Sequence, residues 1–341
     1  MAKAEAERLK IVIPMAGFGT RLRPHTWSRP KPLLSAAGDT VLGHVLKLLG
    51  TAPGAENAEF VFIIGHLGDQ VQRYMQAEHA QVKAHFVEQK ELLGQSHALA
   101  QARRYLHGPT LVIFVDTVVE TDFSGLDKEE ADAVAWVKPV EDPRRFGVAA
   151  VDAQGWVTGL IEKPSDMSNN LAVVGIYYFK RGQDLMAAID RQMQTGVQLK
   201  NEFFLADAID IMLKQGLRMR THVVDEWLDA GLPETVLETN RKLLARGRDN
   251  SAEAGRRAGV VIKPPVFVHP TATVENSTLG PFVSIGRESA VRNSTIEDSI
   301  LESHVTVEDS TLHASLLGER SQVRRVRGVV NVGDDSRVDG A

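Results

Sequence analysis

The sequence predicts an α/β domain built on a mixed, mostly parallel sheet, followed by a short parallel β-helix. Two patterns carry this reading. From Ile11 to Leu244, short continuous apolar runs alternate with segments that are apolar at helical spacing, as in sheets whose strands are buried on both faces. From Val268 to Val323, single aliphatic residues recur at intervals of five or six, with Gly, Ser, Thr, Asn and Asp between them. Neither a helix nor an alternating strand has that spacing; a stack of short strands and turns requires it. Residues 245–257, ARGRDNSAEAGRR, are polar and charged, so the boundary falls there. The division is then 1–247 for the α/β domain, 248–259 for a linker or domain-edge helix, and 260–341 for the β-helix.

In chain order, Ile11-Val12-Ile13 is a β-branched strand that runs into a small-residue turn from Met15 to Thr20. Thr40 to Gly50 is apolar at helical spacing and is expected to pack on that strand. Phe60 to Ile64 reads as a buried strand, and Asp69 as the N-cap of the helix that follows. His85 to Val87 is a third strand leading to Gln89; a turn at Gly94 opens a helix through Leu106. Leu111 to Val115 is a fourth strand ending at Asp116. Ligands of parallel sheets lie at the carboxyl ends of strands, so the first turn, Gln89 and Asp116 are expected on one edge. Phe146 to Val151 and Val157 to Glu162, joined at Gln154-Gly155, form a hairpin, and Leu171 to Phe179 a further strand. Helices are expected at 183–193, 202–213 and 233–244, with a strand at 219–224. Eleven aliphatic positions (Val268, Val274, Leu279, Ile285, Val291, Ile296, Leu301, Val307, Leu312, Leu317, Val323) leave room for about three coils between Pro265 and Val323.

Composition excludes several classes of function. Hydrophobic content of 43% and charged content of 24% are those of a globular protein. A net charge of -5, with dispersed basic residues, argues against a nucleic-acid surface. There is no cysteine, hence no disulfide, thiolate metal site or cysteine nucleophile, and a reducing cytoplasm is the expected location. The N-terminal MAKAEAERLK lacks the apolar core of a signal peptide, and no window is apolar for the length of a membrane span.

The most informative stretch is Ile11 to Leu34, IVIPMAGFGTRLRPHTWSRPKPLL. Glycines after a buried strand let backbone N–H groups approach an anion, most often a phosphate. Arg21 and Lys31 follow, on a segment stiffened by Pro24, Pro30 and Pro32. A P-loop would need Lys and Ser/Thr after its last glycine, and a dinucleotide fingerprint a third glycine where Leu22 stands. The string instead resembles the signature loop of the sugar nucleotidyltransferases (NDP-sugar pyrophosphorylases). It matches at Gly17, Gly19, Thr20, Arg21, Leu22, Pro24, Thr26, Pro30, Lys31, Pro32 and Leu33. The C-terminal repeat similarly resembles the left-handed hexapeptide β-helix that many members carry, and the α/β domain is then a Rossmann-like nucleotidyltransferase domain.

This resemblance implies formation of an NDP-sugar and pyrophosphate from a nucleoside triphosphate and a sugar 1-phosphate, with Mg²⁺ as cofactor. It makes Arg21 and Lys31 catalytic, acting on the β,γ-phosphates and on the α-phosphate region respectively. Ala16, Gly17, Gly19, Thr20, Gln89, Gly94 and Asp116 would bind nucleotide. Gly147, Glu162, Lys163 and Val174 would bind the sugar phosphate, the pair Glu162-Lys163 opening an E-K-P motif. Asp116 and Asp229, the latter in a W-x-D-x-G motif, would hold the metal. A glutamine amide donates and accepts together, which suits the imide edge of thymine or uracil, so dTTP or UTP is the expected nucleotide and glucose 1-phosphate the default sugar. Val115 stands where the family has glycine, and Gln95-Ser96 where it often has Thr-Ala. A second reading is a non-catalytic subunit sensing nucleotide or sugar phosphate. A third is acyl transfer on the β-helix with His304 or His313 as base. Partners are expected to be the two substrates, without nucleic acid or membrane, and the open β-helix ends favour a homo-oligomer.

Overall fold

The computed structural model describes residues 7–341; residues 1–6 of the polar N-terminal stretch lie outside the described residues. The chain forms two compact units. Of the described residues, the first takes 7–17, Val45–Val115 and Val119–Trp227; the second takes Phe18–His44, Asp116–Val118 and Leu228–Ala341.

In the first unit the sheet has nine strands. Its main path runs Val157–Glu162, Gly147–Val151, Leu171–Phe179, Thr110–Ile113, Lys10–Pro14, Glu59–Ile64 and Ala84–Glu88. The last four of these pair in parallel, with Lys10–Pro14 central and buried throughout. Leu171–Phe179 joins this parallel half to the hairpin: it runs antiparallel to Thr110–Ile113, and through Ala172 it meets Val148. Its register shifts between Val173 and Tyr177, where Gly175 has φ +80° and accepts a bond from the Phe114 N–H at 3.0 Å. A bulge of this kind needs glycine. The helices Gly182–Thr195 and Leu205–Lys214 cover the sheet with Leu185, Ile189, Leu205 and Ile209, all fully buried.

Three features differ from the sequence reading. Ala133–Pro139 is a strand paired with both Leu171–Phe179 and Met219–Val223, and its Trp136 is buried. Thr117–Glu120 and Glu226–Asp229 form a separate two-stranded sheet. Asp69 is not the N-cap: the helix spans Gly68–Glu78, entered through Leu67 at φ 61°, and Asp69 sits in its first turn bonded to Arg73 at 2.7 Å. Gly68 starts the helix early because it packs on Ile64, where a Cβ would lie 2.8 Å from the Ile64 side chain.

In the second unit the β-helix consists of three parallel five-stranded sheets, from Val260–Ile262 to Arg337–Asp339. All eleven predicted aliphatic positions are buried in its core. The coil count is five rather than about three. The solenoid begins before Pro265 and continues past Val323, and its coils shorten from 17 residues (Val266 to Val283) to 16 (Ile300 to Leu316) and 15 (Leu316 to Asn331). Buried serines brace the corners: the Ser294 N–H donates to Ser277 Oγ, and Ser310 N–H to Ser294 Oγ, both at 3.1 Å. Residues 248–259 contain the short helix Ser251–Ala254, where Ser251 and Ala254 are buried. Asn250 beside it accepts from Val268 N–H and donates to Val268 O, both at 2.8 Å.

A second apolar cluster of this unit joins Leu22 and Leu34 of the glycine-loop segment to Val118, Leu228, Ala230, Leu237 and, from the β-helix, Ile300 and Leu316. Asn240, on the helix Pro233–Leu243, accepts from Ala37 N–H and Ser284 Oγ and donates to Phe282 O. No helix among the described residues is long and apolar enough to cross a membrane.

Candidate active site

The second unit gathers four of the charged residues singled out in the sequence. Gly19, at φ +59°, turns the chain into the single 3-10 turn Thr20–Leu22. Leu22 faces the apolar cluster and is fully buried, leaving its neighbour Arg21 exposed. Thr26 closes the loop by donating Oγ1–H to Gly19 O at 2.8 Å. A Cβ on Gly19 would lie 3.1 Å from Thr26 Cγ2 and 3.4 Å from Lys31 Cβ, so glycine sets the spacing of the turn from Lys31. Lys31 starts a second 3-10 turn behind Pro30, and its Nζ donates to Asp116 O at 3.4 Å.

Asp116 and Asp229 lie on neighbouring backbones, because the Ala230 N–H donates to Asp116 O at 3.1 Å. Both side chains are exposed. Asp229 Oδ1 accepts from Gly231 N–H at 2.9 Å, and a Cβ on Gly231 would lie 2.8 Å from that oxygen and 3.3 Å from Arg21 Nη2. Glycine at 231 therefore lets Arg21 and Asp229 share this corner. The electrostatics couple the same four groups. Burial pushes the Lys31 ammonium below its ordinary pKa, Asp116 and Asp229 oppose that shift, and Arg21 adds to it.

Among the described residues no group of three or more His, Cys, Asp or Glu is placed to hold a metal ion. Two carboxylates with one oxygen already oriented suit a hard divalent ion that takes its other oxygens from phosphates and water.

The first unit holds the remaining candidates. Ala16 is buried, with its carbonyl against Gly65, where a Cβ would lie 2.5 Å from that oxygen; Gly17 is exposed, with nothing within 4 Å of where a Cβ would be. Gln89 follows the strand Ala84–Glu88 and is 6% exposed; its Nε2 reaches Gly94 O at 3.3 Å and His97 Nδ1 at 3.2 Å. Gly94, at φ +99°, lies against the backbone of Phe203, where a Cβ would come within 2.6 Å of both N and O. The two residues after Gly94 have structural partners. Gln95 Oε1 accepts from Leu205 N–H at the start of a helix, and Ser96, fully buried, donates to Phe204 O. Val115 is 4% exposed, so its side chain is taken up by packing.

Glu162 and Lys163 end the hairpin strand as a pair, 3.4 Å apart, with Lys163 at φ +48° and its Nζ 4.5 Å from the centre of the Phe204 ring. Burial raises the Glu162 pKa above the usual carboxylate range against the pull of Lys163, and Asp207 and Glu202 raise it further. Gly147 leaves room for this carboxylate, since a Cβ there would lie 3.0 Å from Glu162 Oε2. Val174 is buried, so only its backbone can face a ligand. Phe203-Phe204 links the two groups, through Gly94 on one side and Lys163 on the other, and no motif in the sequence points to it. A cavity lined by Asp132, Lys180, Asp184 and Met212 contains none of the candidate residues.

In the second unit two cations and two carboxylates thus gather at one glycine turn, the charge pattern that phosphoryl transfer uses. The family model described as Nucleotidyl transferase matches residues 10–246, and the chain belongs to that family, as a sugar nucleotidyltransferase carrying a C-terminal left-handed β-helix. It is 31% identical to the low-salt glycan biosynthesis nucleotidyltransferase Agl11 of Haloferax volcanii, over 90% of each chain. It is 27% identical to a glucose-1-phosphate thymidylyltransferase of Streptomyces griseus, over 96% of this chain and 99% of the relative. Among solved structures, a UDP-glucose pyrophosphorylase complexed with UDP-glucose shares the fold over 70% of this chain and all of its own, with a TM-score of 0.59 and 19% identity.

Proposed function

We propose that this enzyme joins dTTP or UTP to a hexose 1-phosphate, with glucose 1-phosphate as the preferred acceptor, forming the nucleotide sugar and pyrophosphate. The observation that carries this reading is the gathering of Arg21, Lys31, Asp116 and Asp229 around one glycine turn. A phosphate oxygen of the sugar phosphate attacks the α-phosphorus in line; the bond from that phosphorus to the bridging oxygen breaks, and its electron pair leaves on pyrophosphate. No side chain has to take a proton, because a phosphate monoester with a second pKa of about 6 is largely dianionic at neutral pH. Arg21 holds the β- and γ-phosphates and stabilises the departing pyrophosphate, and Lys31 acts on the α-phosphate oxygens. Asp116 and Asp229 would hold Mg²⁺, which when bound supplies charge neutralisation across the phosphates.

The backbone of Ala16, Gly17, Gly19 and Thr20 is assigned to the nucleotide. Gln89 and Gly94 are assigned to the base, which a fixed amide reads by donating and accepting. Glu162 is assigned to sugar hydroxyls, Lys163 to the sugar phosphate, and Gly147 and Val174 to the sugar pocket. The transferase function is placed in residues 1–247, joined through 248–259 to the β-helix of 260–341, whose open ends are assigned to self-association. A cysteine-free sequence agrees with a cytoplasmic location. The thymidylyltransferase named among the relatives supports the choice of nucleotide. Pyrophosphate release from each NTP, with Mg²⁺ and a panel of sugar 1-phosphates, tests the reading. Turnover is expected with a pyrimidine nucleotide and a hexose 1-phosphate, and its loss in Arg21→Ala and Asp229→Ala; turnover retained in both variants would overturn the assignment.

A further inference from the structure

Arg29 lies two residues before Lys31 and has no part in the phosphate chemistry assigned above. Its side chain is 12% exposed and enters a cluster of three carboxylates. Nη1 donates to Glu302 Oε2 at 2.9 Å, Nη2 donates to Glu319, and Nε lies 3.9 Å from Asp334 Oδ2. These acids follow three successive strands of one β-helix sheet, Ile300–Leu301, Leu316–Leu317 and Asn331–Val332.

Glu302, only 2% exposed, also binds the far side of Lys31: Oε1 accepts from Ser35 N–H at 2.8 Å, and Oε2 from Ser35 Oγ at 2.7 Å. One buried carboxylate thus fixes the backbone both before and after Lys31. Further contacts repeat the pattern upstream. Ser28 Oγ donates to Asp334 at 2.8 Å, His25 Nε2 lies 2.5 Å from Asn331 Oδ1, and Gly333 packs closely on Pro24, where a Cβ would make a tight contact at 3.2 Å. Beneath the segment, Leu22 and Leu34 pack in one cluster with Ile300 and Leu316.

We propose that the β-helix is the seat of the catalytic loop, and that Arg29 and Glu302 are positioning residues that hold Lys31 and Arg21 in reactive geometry. The inference rests on the roles given to Arg21 and Lys31 above. A loop of 3-10 turns and prolines has few backbone bonds of its own, so its geometry comes from what it is docked on. Buried, fully bonded ion pairs add little net stability compared with an apolar core, but they define one geometry. A misplacement of about 1 Å costs on the order of 10²-fold in rate. The repeating coil supplies the carboxylates at nearly constant spacing, 302, 319 and 334, which a single surface loop could not do.

The test uses the full-length enzyme with Glu302→Gln, Glu319→Gln and Arg21→Ala beside wild type. Each is assayed for kcat and KM with Mg²⁺, and by hydrogen exchange on peptides covering 18–35 and 277–317. Glu302→Gln is expected to lower kcat about 10- to 100-fold with KM for the triphosphate near wild type, and to speed exchange in 18–35 while 277–317 stays protected. Glu319→Gln, on a more exposed carboxylate, is expected to show the same two effects more weakly, and it decides the matter if Glu302→Gln does not fold. Adding Arg29→Met to Glu302→Gln is expected to lower kcat less than the two separate losses combined, because the residues act as one unit. An inactive Arg21→Ala beside Glu302→Gln or Glu319→Gln variants with wild-type kcat and exchange would overturn the positioning role alone. An active Arg21→Ala would overturn the site assignment. Loss of protection in 277–317 together with 18–35 would show that the acids hold the solenoid and not the loop, and would also overturn the proposal.

Discussion

Arg21 and Arg29 lie on the same loop and have opposite surroundings. Arg21 is exposed on a single 3-10 turn, with Gly231 beside its guanidinium. Arg29 is sunk among three carboxylates. Burial alone would lower its pKa, but Glu302, Asp334 and Glu319 together outweigh that and hold it above the ordinary arginine value. A guanidinium that grips a polyanion has to reach it with its charge uncompensated; one that fixes a backbone is best matched by counter-ions already in place. The residue type is therefore the same, and the neighbours decide whether it acts on a ligand or on its own chain.

The largest effect that would break this contrast is on stability. Arg29→Met leaves Glu302 buried without its cation, which costs about 3–5 kcal/mol when one partner of a buried pair is removed. Chemical denaturation should show that loss, whereas Arg21→Ala should unfold within about 0.5 kcal/mol of wild type, as surface changes usually do. Equal losses in the two variants would erase the distinction. On activity the order is expected to reverse in kind. On the role proposed for Arg21 at the departing pyrophosphate, Arg21→Ala should lower kcat roughly 10²- to 10³-fold, about 2.7–4 kcal/mol, in a protein that melts like wild type. Steady-state pyrophosphate release checks it, and a variant with raised KM but unchanged kcat would make Arg21 an anchor only.

The two arginines also mark where the sequence was legible. Arg21 stands at a fixed place in a dense local motif, and the eleven buried aliphatics could be read because a solenoid repeats its demand on the chain at each corner. Arg29 carries no local signal: its partners are 273, 290 and 305 residues away, and only folding into coils brings them together. The coil count came out low for a related reason. Coils shorten toward the C-terminus, and the last one offers Gly328 and Asn331 where earlier coils have aliphatics at the paired positions. Ala133–Pro139 escaped notice because two of its five buried residues are alanine, which favours helix and is depleted in strands. Of the candidate site, Arg21, Lys31, Asp116 and Asp229, which meet in the second unit, were singled out by the sequence. Phe203-Phe204 was not, since its role lies in backbone and ring contacts that residue identity does not announce.

Gly19 lies ahead of both arginines and offers a third, smaller test. At φ +59° any other L-residue bears a left-handed cost of about 1–2 kcal/mol. In Gly19→Ala the new methyl would also press on Thr26 and on Lys31 Cβ, at 3.1 and 3.4 Å. The variant is expected to lose about that much stability together with a fall in kcat, because the displaced neighbour is Lys31. A stability loss with kcat intact would show that the turn supports folding and that Lys31 tolerates movement.

The smallest effect expected is the pH dependence of the docked loop, through His25. Burial lowers its pKa below the ordinary histidine value; the bond to Asn331 and the charges of Glu302 and Asp334 oppose that shift, and Arg29 adds to it. Because the folded pKa is depressed, the unfolded chain binds the proton first on acidification. The stabilisation is therefore complete above the unfolded imidazole pKa, near 6.5, and is lost as pH falls through the lower folded value. Tm measured from pH 7.5 downward should drop by about a few degrees more in wild type than in His25→Gln, which keeps a donor for Asn331 but takes no proton in this range. Hydrogen exchange at 18–35 should quicken over the same interval in wild type alone. Identical pH profiles for the two proteins would remove His25 from the contacts that seat the loop, while leaving Arg29, whose guanidinium keeps its charge throughout this range, to be judged by its own variants.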